Sequence, residues 1–408
     1  MKKNLKIGLG LSGGVDSAVS LLLLKKQLAH LNCFYINCFQ NNFCSNNQDR
    51  NDSFLTAQQL QIKFQTLNLI TEYQKKVLAY FFKSLKNGQT PNPDIWCNQE
   101  IKFGLFYQYL KKHHYDFMAT GHYSQIIKIN HHYFLATSYD LDKDQSYFLC
   151  QLEEKQLPFI KFPIGHLKKT SVRLLAKKHH LLVSNKKDSM GICFLGNLNF
   201  HYLLKNNLGE KNGTIVDSDG FIIGHHKGHW FYTLGQKITN LNFHLLSKSN
   251  LKEKINKHLL PKIYVIAKNY RANQIVVGIK KQTLKKSFFI TNLHSIYSQF
   301  SLNSFFKTTK TKTLDRLSQT KKLEATNNIL VKLRNTGKFL ACNLSKNKKG
   351  LKIILKEKTA IVAQGQFAVF YLPIHIFVNY LISDKIKGTK LIKKYPHVYI
   401  CLGNGTIC

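Results

Sequence analysis

Two features of this sequence carry residue types that could do chemistry: the run Gly-Leu-Ser-Gly-Gly-Val-Asp-Ser at 10–17, and two widely spaced cysteines, Cys97 and Cys193. The run lies between an apolar segment (5–11) and Ser-Ala-Val-Ser-Leu-Leu-Leu-Leu (17–24), so it reads as the turn between a strand and a helix. Gly13 and Gly14 let backbone amides approach an anion, while Ser12, Asp16 and Ser17 add side-chain groups at the positive end of the helix. No lysine closes the loop, which argues against a P-loop of the Gly-x-x-x-x-Gly-Lys-Ser/Thr kind and for a site shaped to pyrophosphate. Asp16 would repel bare phosphate, and a Mg²⁺ ion between the carboxylate and a nucleotide removes that conflict. The plainer reading stands beside it: the glycines turn the chain and Asp16 caps the helix.

Cys97 follows Pro91 and Pro93, which stiffen its approach, with Asp94 three residues before it. A lone cysteine next to Ile95 and Trp96 could equally be a buried thiol, and Asp94 could serve as an acid or base or as a loop cap. Cys193 sits between Gly191 and Gly196, with Lys186 and Lys187 nearby to favour a thiolate. Two thiols far apart in sequence, together with a nucleotide loop, suit attack by a sulfur nucleophile followed by disulfide release. Cys33, Cys38, Cys150 and Cys342 lie among apolar residues and are expected to be ordinary core thiols. Nine cysteines without a Cys-x-x-Cys pair give neither a disulfide scaffold nor a zinc or iron–sulfur site.

The elements that must hold these residues begin with a β-α-β unit whose second strand is 33–39. Helix-like segments at 54–67, 71–86, 98–112 and 170–180 alternate with strand-like runs at 116–120 and 132–137, which predicts an α/β domain with a parallel sheet over 1–200. Glycines, histidines and aromatics over 213–240 suit a small central linking domain, 201–262. Strand-like runs recur beyond 262 and predict an all-β, barrel-like C-terminal domain, 263–408, with basic loops or insertions at 306–323 and 384–394.

Sixty Lys and Arg against 21 Asp and Glu give a net charge of +39, a surplus that draws a protein to nucleic acid; compositional drift toward Lys and Asn is the alternative source. The N-terminus reads as a strand rather than a signal peptide, and the apolar stretch 368–382 is broken by Pro373, His375 and Asn379. A cytoplasmic protein without a membrane partner is expected.

The loop at 10–17 resembles that of the PP-loop ATP pyrophosphatase superfamily, which implies an adenine nucleotide alpha hydrolase-like fold and cleavage of ATP to AMP and pyrophosphate. Further stretches narrow the resemblance: TPNPDIWCNQEIKF (90–103), ATGHY (119–123), KDQSYFL (143–149), FPIGHLKK (162–169), DSMGICFLG (188–196), YTLGQK (232–237) and CLGNGTI (401–407). With these the chain, from residue 7 to 407, is similar to the tRNA-specific 2-thiouridylase family. The resemblance implies ATP-dependent 2-thiolation of the wobble uridine of tRNA, with Cys97 as nucleophile and Cys193 as persulfide carrier. It implies ATP contacts from Gly10, Leu11, Ser12, Gly13, Gly14, Val15, Asp16, Ser17, Ile36 and Gly121, Ile36 standing where the family often has Met. It implies that Asn92, Pro93 and Asp94 lie near the target base and that Lys143, Asp144 and Gln145 touch tRNA.

The family's Arg-Tyr-Arg-Gln stretch survives here only as Arg334-Asn335-Thr336-Gly337, so contacts by Arg334 and Asn335 rest on one retained arginine. A persulfide-donating sulfur carrier or cysteine desulfurase is the implied protein partner, with Mg²⁺ accompanying ATP. The alternatives are another PP-loop tRNA-modifying enzyme, or a degenerated chain that only binds RNA.

Overall fold

The computed structural model of the 408-residue chain describes residues 5–26, 30–38, 45–188, 200–238, 262–298, 301–306, 324–347, 350–360, 362–382 and 385–408. Strands β1 (Lys6–Gly10), β2 (His30–Asn37), β3 (Lys63–Asn68), β4 (Phe117–Thr120) and β7 (Ile160–Lys161) form a parallel sheet in the order β3-β2-β1-β4-β7. Leu9 in the central strand pairs with Cys33 on one side and Ala119 on the other, and all three are buried. That is the near-continuous apolar character expected of strands covered on both faces. Helix α1 (Val15–Lys25) is apolar almost all round because it packs against the sheet and against the helix Lys169–Lys178. Asp16 in its first turn and Lys25 in its last complement the helix dipole.

Two expectations are corrected in this domain. The helix anticipated over 54–67 is α2 (Ser45–Gln59), which stops short; Gln61 takes a positive φ of 53° and Lys63–Asn68 becomes β3. Its Phe and Thr residues, paired in register with β2, suit the pleated edge better than a helix. The run 132–137 does not join the parallel sheet. It is β6 (His132–Thr137), antiparallel to β5 (Ser124–Ile129) across a tight turn at Asn130, φ 54°.

The middle sheet has the order β10-β11-β12-β8-β9, built from Lys237–Ile238, Ile263–Asn269, Gln274–Ile279, Gly213–Val216 and Ile222–His226. The boundary expected at 262 therefore falls inside a sheet: β11 and β12, assigned by pattern to the C-terminal module, are its centre. Their apolar residues Ile263, Val265, Ile275 and Val277 pack on Ile215 and Ile223. A strand pattern states that a strand exists, not which sheet it joins.

The C-terminal strands β13 (Leu284–Ser295), β16 (Gly350–Ala360), β15 (Leu340–Asn347), β14 (Leu330–Lys332), β17 (Phe367–Pro373) and β18 (Tyr399–Ile407) pair in that order, and β13 also pairs with β18, closing a barrel. Near its start, before it reaches β13, β18 meets β6 at Ile400 and Ala136, so the N-terminal hairpin extends the barrel's sheet. One apolar core runs across this junction, from Phe34, Cys97 and Phe106 to Phe370, Phe377 and Ile400. Of the basic stretch 384–394, expected as a loop or an insertion, residues 385–394 form the helix Lys385–Lys394, whose Leu391 and Ile392 pack against that core. Residues 307–323 of the other basic stretch lie outside the described residues. The apolar run 368–382 is divided between β17 and the helix Ile374–Leu381; among the described residues no helix is long and apolar enough to cross a membrane.

Candidate active site

All five strands run parallel, but the order in which they are added reverses between β1 and β4, since β2 and β3 extend the sheet one way and β4 and β7 the other. A crevice at the carboxyl ends of such strands is where α/β sheets bind ligands. The loop 10–17 follows β1 and Gly121 follows β4, so both border that crevice. Gly13 has φ +73°, and a side chain there would collide with the backbone of Asp49 in α2. A Cβ on Gly121 would lie 2.7 Å from the backbone nitrogen of Ser17, so only glycine allows α1 to approach β4 this closely.

The N-terminus of α1 has no side-chain cap. Gly14 is the N-cap, while the Ser17 hydroxyl donates to Gly14 O (3.0 Å) and accepts from Ser12 N (3.2 Å). Such an end suits an anion. Leu11 and Val15 are buried beneath the loop, and Ile36 is buried at the end of β2, in register with Leu67. Beyond the ends of β2 and β3, Asn37, Asn68, Ile70, Thr71 and Glu72 line a cavity of ≈ 530 Å³.

Asp16 does not cap its own helix. Its Oδ1 accepts from the Tyr123 hydroxyl at 2.8 Å, and both carboxylate oxygens lie 2.8 Å from the Lys169 ammonium. Lys169 also meets Asp188 Oδ1 at 2.8 Å, and Asp188 is held further by Lys143 (3.0 Å) and Arg173 (2.6 Å). Burial by itself would raise the Asp188 carboxyl, but hydrogen bonds and charge from Lys169 and Lys143 outweigh it and hold it well below the usual carboxylate range. The Tyr123 phenol is pushed the other way, first by burial and then by the Asp16 carboxylate. Four stretches that looked separate in sequence, 10–17, 119–123, 143–149 and 162–169, thus meet with Asp188 in one charged cluster.

Cys97 ends the short helix Pro93–Cys97 and is 1% exposed, in the core with Ile95 and Ile101. Asn92 caps that helix by accepting from Ile95 N at 3.3 Å, and buried Pro93 occupies its first turn, where a missing N–H costs nothing. Asp94 follows, partly exposed. The helix continues as a wide π-type stretch, Asn98–Phe106, a distortion that recurs at functional sites. Asn98 Nδ2 donates to Phe148 O at 3.2 Å, tying the cysteine's helix to the 143–149 segment.

Cys193 lies outside the described residues, as does everything from 189 to 199. Lys186, read from sequence as a charge that favours its thiolate, is bound by Asp49 (2.7 Å) and Asp52 of α2. Cys33, Cys38, Cys150 and Cys342 are buried as expected, and burial raises the Cys342 thiol to about 12.

The residues expected to touch tRNA divide. Lys143 is exposed, and Arg334 is exposed on the turn between β14 and β15, beside partly buried Asn335. Gln145 is partly buried, its side-chain oxygen accepting from Tyr123 N at 2.9 Å. Asp144 is the correction: it is 2% exposed and bonded to Ser138 N (3.0 Å), the Ser146 hydroxyl (2.8 Å) and Lys332 (3.5 Å) of the barrel. Its carboxylate faces the domain junction, not solvent. Burial raises its pKa, and Lys332 and the hydrogen bonds from Ser138 and Ser146 only partly oppose that.

Sequence reasoning missed Tyr123, Lys169, Arg173 and the role of Asp188. Tyr123, Lys169 and Asp188 stand inside recognised stretches, and that was the available signal. Their partners lie up to 153 positions away, which no local pattern reports.

Three family descriptions match in succession: a tRNA methyl transferase HUP domain over residues 5–197, a tRNA methyl transferase PRC-barrel domain over 201–279 and an aminomethyltransferase β-barrel domain over 306–374. The middle match ends with β12, in agreement with the sheet. A tRNA-specific 2-thiouridylase MnmA from Buchnera aphidicola is 37% identical over 381 residues, 91% of this chain and 95% of its own length. Its namesake from Vesicomyosocius okutanii is 35% identical, with the same 91% and 95% coverage. Identity at this level along nearly the whole of both sequences, over a three-part fold that agrees with the three matches, means that the chain belongs to the tRNA-specific 2-thiouridylase family.

Proposed function

We propose that this protein replaces the C2 oxygen of the wobble uridine of tRNA with sulfur, cleaving ATP to AMP and pyrophosphate. The observation that carries the reading is the charged cluster at the switch point. An uncapped helix end and a glycine turn face the crevice beside Asp16, Tyr123 and Lys169. These groups suit a nucleotide's phosphates, with Gly10 through Ser17 and Gly121 around them and Ile36 near the adenine. Asp16 would be the residue to hold Mg²⁺, which would supply charge neutralisation for the phosphates.

Oxygen at C2 is a poor leaving group, so it first attacks the α-phosphorus of ATP, and pyrophosphate departs. The terminal sulfur of a persulfide on Cys193 then forms the C–S bond as AMP leaves with the original oxygen. Cys97 attacks Cys193 Sγ, breaking the persulfide S–S bond and forming a Cys97–Cys193 disulfide. In the alternative order Cys97 frees hydrosulfide first, and hydrosulfide attacks C2. Two electrons from an external thiol restore the pair in either case. Burial of Cys97 in the core keeps its thiol from bulk oxidants, and Asp94, one turn earlier on the same helix, is the candidate proton carrier.

Asn92 and Pro93 border the base from the same loop, while Lys143, Gln145, Arg334 and Asn335 belong to the tRNA surface, together with the net positive charge. Asp144 supports that surface from beneath. A persulfide-donating carrier protein or desulfurase charges Cys193 in a soluble, cytoplasmic setting. Nucleoside analysis of bulk tRNA from cells with and without the gene tests the reading: 2-thiouridine derivatives should disappear with the gene, and their undiminished presence would refute it.

A further inference from the structure

The phosphate loop has no lysine of its own, yet one reaches it from a distant helix. Lys169 opens the helix Lys169–Lys178 and is only 9% exposed. Its backbone N–H donates to Asp140 Oδ2 at 2.8 Å, which fixes the base of the side chain. Its ammonium lies 2.8 Å from both Asp16 oxygens and 2.8 Å from Asp188, with the Tyr123 ring 5.6 Å away. Asp188 has two further cations, Lys143 and Arg173, and stays neutralised if Lys169 turns away. Among the described residues Lys169 is the one cation paired with Asp16. An anion entering at the uncapped end of α1 therefore meets a single poorly hydrated ammonium beside the first turn of that helix. The same exchange would leave the Asp16 carboxylate available to hold a metal ion.

We propose that Lys169 binds the pyrophosphate moiety of the nucleotide, exchanging Asp16 for phosphate oxygens and taking the part that a lysine within the loop plays in P-loop enzymes. The inference rests on reading 10–17 as a pyrophosphate site, as set out above. The competing role is a purely structural tie from Asp16 to Asp188.

Calorimetric titration of the full chain with inorganic pyrophosphate and with AMP, each in the presence of Mg²⁺, separates the two. Lys169→Met should weaken pyrophosphate binding by about 10–100-fold, the worth of one charge-assisted contact, and leave AMP binding unchanged. Asp188→Asn should bind pyrophosphate as tightly as the wild type or more tightly, because the ammonium stays and a competing anion is gone. A Lys169→Met protein with wild-type melting and wild-type pyrophosphate affinity overturns the proposal. So does an Asp188→Asn protein whose pyrophosphate binding is weakened about tenfold or more, and this second variant decides the question if Lys169→Met fails to fold. A wild-type chain that binds neither pyrophosphate nor AMP overturns the pyrophosphate-site reading itself.

Discussion

Two acid–base clusters in this molecule use the same residue types under opposite conditions. Asp144 and Lys332 join the N-terminal domain to the barrel with side chains 1% and 4% exposed, whereas Asp16, Lys169 and Asp188 meet at the crevice with Asp188's side chain 38% exposed. Inside the junction every available partner is fixed: Ser146 holds Asp144 and shares its hydroxyl with Tyr371 at 3.1 Å, and Lys332 lies over the Phe339 ring. At the crevice three cations crowd one carboxylate, and two of them, Lys143 and Arg173, have side chains 45% and 31% exposed to water. A sealed pair fixes how two domains sit, while an open cluster can trade partners with an incoming ligand. The contrast shows why recognisable stretches of one family need not share one role: of 143–149, Lys143 serves the crevice and Asp144 the junction.

The largest effect expected from breaking this contrast is on stability. Asp144→Leu leaves the Lys332 ammonium, Ser138 N–H and the Ser146 hydroxyl buried without their acceptor and should cost about 3–5 kcal/mol, read by denaturant unfolding. Replacing both members with apolar residues, Asp144→Leu with Lys332→Met, should recover most of that loss. Failure to recover would mean that the pair does more than join the domains. At the crevice the cost should fall on turnover instead: Asp16→Asn should slow tRNA-dependent ATP cleavage about 10²–10³-fold, as for loss of one preorganised charged partner, with little change in melting temperature. Unchanged turnover would return Asp16 to a structural role.

Acid titration should give the two carboxylates opposite slopes. Asp188 is held below the ordinary carboxylate value of 3.8, so between its folded pKa and 3.8 the unfolded chain binds more protons. Its contribution is full above that value and is lost as pH falls toward the depressed one. The melting-temperature gap between wild type and Asp188→Asn should therefore narrow on acidification below about pH 4. Asp144 is raised above 3.8, so the native state holds its proton longer. The gap between wild type and Asp144→Asn should narrow in the other direction, as pH rises through the raised value. Parallel slopes would contradict the contrast between open and sealed clusters. The smallest effect belongs to the surface: Arg334→Ala should weaken tRNA binding by about 1 kcal/mol in a salt-dependent way, measured by filter binding at two salt concentrations, without changing the rate at saturating tRNA.

Much of this arrangement was legible in the sequence. The strand, glycine turn and helix at 5–25 are local, each residue constrained by its neighbours, and they fold as read. The four structural cysteines were legible because their apolar surroundings are local as well. What escaped were pairings across long separations. The hairpin 124–137 looks like any short strand pair until Ile400 meets Ala136, and β11 and β12 carry nothing that distinguishes a middle-sheet strand from a barrel strand. Lys169 reads as one of many lysines until the fold sets it against residue 16. Polar character alone made the stretch at 384–394 look like a loop or an insertion, because Leu391 and Ile392 find their apolar partners only in the folded barrel.

Coupling of pyrophosphate release to sulfur transfer at the crevice can be read from a mass balance with the purified chain. The assay combines ATP, unmodified tRNA and a persulfide donor, and it counts AMP, pyrophosphate and 2-thiouridine together. One AMP and one pyrophosphate should form for each 2-thiouridine, and no product containing sulfur should form without ATP. ADP and phosphate as products, or thiolation that proceeds at full rate without ATP, would contradict that coupling.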